Sequence, residues 1–86
     1  MERSLSYPTC EIMDRQTIAE HLALAERHVA EGQDHIERQR MVIAELERDR
    51  HDTTRAKELL DTFKTTQALH IADRDRLRQE LAAARE

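Results

Sequence analysis

Eighty-six residues set the size of one small domain at most, and 37% of them are charged, with a formal net charge of −4. Neither half is basic: residues 14–51 hold nine acids and six bases, and 52–86 hold seven of each. With no basic face or tail to neutralise phosphates, nucleic acid is not expected as a partner. No apolar run approaches the ~18 residues of a membrane span, and no apolar leader stretch opens the chain, so membrane insertion and secretion are not expected either.

Tyr7 and Phe63 are the only aromatic residues, Gly32 the only glycine and Pro8 the only proline. Plentiful Ala, Leu, Glu and Arg with almost no helix breakers is the composition of long helices rather than of a globule built on aromatic side chains. Cys10 stands alone and has no internal disulfide partner, which fits a reducing compartment, and the cytoplasm is the expected one.

In chain order, residues 1–13 carry no helical stripe, and Pro8 biases Tyr7 away from helical backbone. This segment is expected to be a flexible arm, with Tyr7 and Cys10 as its only candidate contacts. Asp14 is a natural N-cap, with Met13 and Ile18 placed as a hydrophobic staple across it; a start capped by Thr9 is the alternative. From there Ile18, Leu22, Ala25, Val29, Gly32, Ile36, Gln39, Ile43 and Leu46 follow in alternating steps of four and three. That spacing is a coiled-coil-like seam on a helix over 14–50. The pattern pauses at Asp49-Arg50-His51-Asp52-Thr53-Thr54, where two N-cap types stand together, and a bend is expected over 51–53. A second seam then runs Ala56, Leu60, Phe63, Gln67, His70, Arg74, Leu77, Leu81 and Ala84 on a helix over 53–84, so that 14–86 form one unit.

A short bend forces the helices antiparallel. With the apex at Thr53, Leu46 faces Leu60, Ile43 faces Phe63, Gln39 faces Gln67, Ile36 faces His70, Gly32 faces Arg74, Val29 faces Leu77 and Ala25 faces Leu81. The register is attractive because two glutamines share a layer and the glycine leaves room for an arginine. On the flanks it sets His28 near Glu80, His35 near Asp73 and Glu26 near Arg78. A His that gains a carboxylate partner has a raised pKa, so a modest pH response is expected from the two histidine pairs. Leu24, Met41, Val42, Leu59 and Ile71 fall outside the seam and are left partly wet. The expected fold is therefore all-α: an antiparallel two-helix hairpin that dimerises into a four-helix bundle, ahead of a lone hairpin or an extended coiled coil.

Nothing in the sequence carries catalysis. Cys10 has no fixed base beside it, there is no glycine-rich phosphate loop, and the carboxylates decorate solvated faces. No enzymatic activity and no cofactor are expected. His21, His28 and His35 recur every seven residues, and His70 lies on the second seam. A metal- or small-ligand-binding bundle using His28, His35 and His70 is the alternative reading, although histidines seven apart lie ~10 Å apart along a helix and need help from another helix to share an ion. A helix lying on a membrane surface ranks last, because the stripe is narrow and the polar faces mix both signs. The leading expectation is a protein–protein interaction module. Its partner is a second copy or another helical protein, and its interaction seam is Leu22, Val29, Ile36, Gln39, Ile43, Leu46, Leu60, Phe63, Gln67, His70, Arg74, Leu77 and Leu81.

The run His21-Leu22, Glu26-Arg27-His28-Val29-Ala30-Glu31-Gly32, Ile36, Gln39-Arg40, Ile43 and Leu46, followed by His51-Asp52-Thr53, Leu59-Leu60, Phe63, Gln67, His70 and Arg74-Asp75-Arg76-Leu77, resembles a group of short uncharacterised helical-hairpin proteins of alphaproteobacteria, the rhizobial relatives especially. The resemblance covers about 21–81. It implies a bacterial cytosolic protein and a hairpin, and it brings no activity, ligand or catalytic residue. Where that group is expected to carry glycine just before the His-Asp of the bend, this chain has Arg50, a residue that disfavours a left-handed helix cap.

Overall fold

A computed structural model describes residues 14–84; the expected arm over 1–13, with Tyr7, Cys10 and the Met13 half of the staple, lies outside them. Two helices, α1 (Arg15–Arg48) and α2 (Thr54–Ala83), pack against each other as an antiparallel hairpin, and no strand occurs among the described residues. Asp14 caps α1: its Oδ1 accepts a hydrogen bond from the Thr17 amide at 2.7 Å, satisfying one of the helix's free N–H groups. That bond, joined by one to the Thr17 side chain, holds the Asp14 carboxyl below its ordinary pKa.

The bend is longer than the sequence pattern suggests and begins earlier. α1 stops at Arg48, two residues short of the expected end, and Arg50 takes a left-handed conformation (φ 61°). The His51 amide donates to the Leu46 carbonyl (2.8 Å) and the Arg50 amide to the Glu47 carbonyl (3.1 Å). This pair of reversed bonds is a Schellman cap, closed here without glycine. Asp52 then opens α2: its Oδ1 accepts from the Thr54 amide (3.0 Å) and hydroxyl (2.8 Å), which lowers its pKa, whereas Thr53 makes no side-chain cap bond.

The chain therefore reverses at Arg50 rather than at Thr53. Moving the apex back by three residues moves each facing partner by about twice that, close to one heptad. Gly32 faces Gln67, not Arg74: a Cβ on Gly32 would lie 2.0 Å from Gln67 Oε1. The two glutamines are in separate layers. Gln39 Nε2 donates to the Ala56 carbonyl at 2.9 Å, and Gln67 Nε2 donates to the Val29 carbonyl at 2.8 Å. His70 meets His28 instead of Ile36, and Phe63 meets His35 instead of Ile43. Arg74 turns to Asp75 on its own helix (3.0 Å).

Both stripes nevertheless face inward, and every residue of the two seams is buried or partly buried. The driest stretch is the open end of the hairpin, where Ile18, Ala25 and Leu77 are buried, with Leu22, Leu81 and Ala84 packed against them. Arg15 ties that end shut. Its guanidinium donates to the Leu81 carbonyl (2.9 Å) and the Ala84 carbonyl (3.4 Å), placing a cation at the negative end of α2. No helix among the described residues is long and apolar enough to cross a membrane.

Candidate functional site

Rows of residues seven apart run beside the seam and give the hairpin two different flanks. One flank carries Glu26, Gln33, Arg40 and Glu47 on α1 with Lys57, Lys64, Ile71 and Arg78 on α2. Ion pairs span it between the helices: Lys57 to Glu47 at 3.4 Å, and Arg78 to Glu26 at 3.3 Å. The Glu26–Arg78 pair is the one expected from the sequence. It survives the heptad slip because long side chains reach along the helix axis.

The other flank carries His21, His28, His35 and Val42 on α1 with Leu59, Thr66, Asp73 and Glu80 on α2. Among the described residues, no ion pair crosses it. Asp73 and Glu80 both bind Arg76 of their own helix, at 2.5 and 2.7 Å, and hold its guanidinium above its ordinary pKa. The expected pairs His28–Glu80 and His35–Asp73 do not form, and the geometric basis of the expected pH response goes with them. The heptad slip carries Glu80 away from His28 and Asp73 away from His35, and Arg76, one helical turn from both acids, binds them within α2.

What this open flank offers instead is an apolar line and a hollow. Five large apolar residues are exposed among the described ones: Leu24 (46%), Met41 (64%), Val42 (41%), Leu59 (44%) and Leu69 (67%). Val42 and Leu59 belong to the open flank. Leu24 and Leu69 lie on its outer shoulder, seven residues from Glu31 and Thr62, which both line its central cavity. Met41 points outward from the back of α1, and none of the five is on the ion-paired flank. Ile71, expected to be partly wet, is partly buried on that other side.

The cavity, about 290 Å³, sits near mid-length and is lined by His28, Gly32, His35, Phe63, Gln67 and His70 among others. On one side of it Gln67 folds its amide into the space that Gly32 leaves by having no side chain. Gln67 is 6% exposed, and its Oε1 is the one buried side-chain oxygen or nitrogen among the described residues without a hydrogen-bond partner. Of the three histidines of the metal reading, the structure joins two. His28 and His70 stand with ring centres 5.1 Å apart, while His35 lies against Phe63 at 5.7 Å. Among the described residues, no three His, Cys, Asp or Glu are grouped as a ligand set. Gln67's buried carbonyl was missed by sequence reasoning, because only the true register brings it over the glycine. Comparison with protein-family models, curated proteins and solved structures finds no match to this chain.

Proposed function

We propose that this chain is a non-enzymatic helical assembly module that pairs with a second copy of itself across the open flank, two hairpins making a four-helix bundle. One observation carries the reading: of the five large apolar residues exposed among the described ones, Val42 and Leu59 lie on the flank that has no interhelical ion pair, Leu24 and Leu69 lie on its outer shoulder, and none lies on the flank that has them. A helix in a packed bundle buries a stripe wider than two positions per heptad, and Val42 and Leu59 supply the extra width on the side where a second layer of helices fits.

The hairpin's own core argues the same way. Five apolar residues and Gln67 are buried among the described residues, a small core for two long helices, and small scaffolds commonly gain the missing burial by association. A different helical protein seated on the same flank is the second occupant this surface suits. The cytoplasm is the compartment taken with this reading, in keeping with the lone Cys10 and the resemblance to bacterial hairpin proteins.

Size-exclusion chromatography with light scattering tests the reading on the intact chain. The expected result is twice the 10.1 kDa chain mass at micromolar concentration. A monomer that persists to millimolar concentration removes self-assembly and leaves the flank to a different partner.

A further inference from the structure

The geometry points to a site for a divalent transition-metal ion of the zinc class, held between α1 and α2 by the imidazoles of His28 and His70. Zinc binds imidazole nitrogen at ~2.0–2.1 Å, and the nitrogen lies about 1.1 Å from the ring centre, so two imidazoles on one tetrahedral ion have centres about 5 Å apart. The His28 and His70 ring centres are 5.1 Å apart and the rings are tilted by 40°, so they are not stacked face to face. Both rings line the central cavity and are partly buried, which gives an ion room and a path to solvent.

Gln67 also lines the cavity, but its Oε1 is shut in against Gly32 and takes no part in the site. Two protein ligands leave a tetrahedral ion two positions for water in the open part of the cavity. Glu31 also lines the cavity, one turn along α1 from His28, but does not join the two imidazoles in a three-ligand set. His35 is not part of the set, since its ring is engaged with Phe63. Because the two ligands come from different helices, the ion cross-links the hairpin, and binding is read as stability. The pair lies within one hairpin, so the site stands whether or not two copies associate.

The test is a thermal melt of the full chain with added zinc chloride, paired with visible spectroscopy of the cobalt(II) form. The expected result is a melting temperature several degrees higher at tens of micromolar zinc, and a cobalt band of tetrahedral intensity. His28→Ala and His70→Ala are each expected to weaken binding at least tenfold, with His35→Ala and His21→Ala leaving it unchanged. His70→Gln, which keeps the bulk of the seam residue, is expected to behave as His70→Ala does. No zinc-dependent shift in the unsubstituted chain overturns the proposal. A shift that survives His28→Ala, or one that His35→Ala abolishes, overturns it equally.

Discussion

The two flanks of this hairpin are built from the same heptad arithmetic and end up chemically opposite. On one, acids of α1 stand across from bases of α2, and Glu26–Arg78 and Glu47–Lys57 bridge the groove. On the other, the acids of α2 are taken by Arg76 within their own helix, and what remains along the groove is Val42, Leu59, three histidines and a cavity. The lesson is that a charged residue's partner is decided by its neighbours three and four along as much as by what faces it. A flank whose charges are satisfied within one helix is left free to take an apolar partner.

The comparison breaks most visibly if the open flank is charged. Val42→Lys with Leu59→Lys is expected to weaken self-association by at least a hundredfold, since like charges then face each other in the layer nearest the bend. Sedimentation equilibrium measures it. The matching change on the other flank, Glu26→Lys with Glu47→Lys, is expected to leave the mass unchanged.

Next in size are two changes that sharpen how the flanks come to differ. Gln67→Met removes the unpartnered buried oxygen at the floor of the cavity while keeping the side chain's length. Chemical denaturation is expected to show a gain of about 1 kcal/mol, because a buried unmet acceptor costs more than its lone hydrogen bond returns. Arg50→Gly acts on the bend that sets which residues reach which flank. It relieves a left-handed non-glycine residue and is expected to stabilise by about 1 kcal/mol without altering the register. The smallest effect belongs to the ion pairs themselves. Arg78→Ala, measured the same way, is expected to cost roughly 0–1 kcal/mol, as its side chain and that of Glu26 are about half exposed.

The sequence makes the stripes legible and leaves the register hidden, for one physical reason. A slip of seven residues brings the same stripe positions face to face, so hydrophobic spacing scores both registers alike. What chooses between them is the apex, and the apex rests on Arg50. An arginine in left-handed backbone has no sequence signal, because the propensity rule assigns that conformation to glycine or asparagine. Asp14 was readable as a cap because a carboxylate before an apolar stripe satisfies the first amides of a helix. The matched glutamine layer was a persuasive coincidence: each glutamine instead reaches a backbone carbonyl of the facing helix. The candidate site was legible only in part. The seven-residue histidine period placed His28 and His35 on one flank, but the pairing of His28 with His70, and the glutamine beside them, depend on the hidden register.

A double-mutant cycle between Gly32 and Gln67 tests the register most directly. In the native background Gly32→Ala drives a methyl into the Gln67 amide and is expected to destabilise by about 1 kcal/mol or more, despite alanine's better helix propensity. With Gln67→Ala in place, the same change is expected to stabilise by up to about 1 kcal/mol, the propensity gain alone. If Gly32→Ala has the same effect in both backgrounds, Gly32 and Gln67 do not meet, and the pairing of the helices described here is wrong.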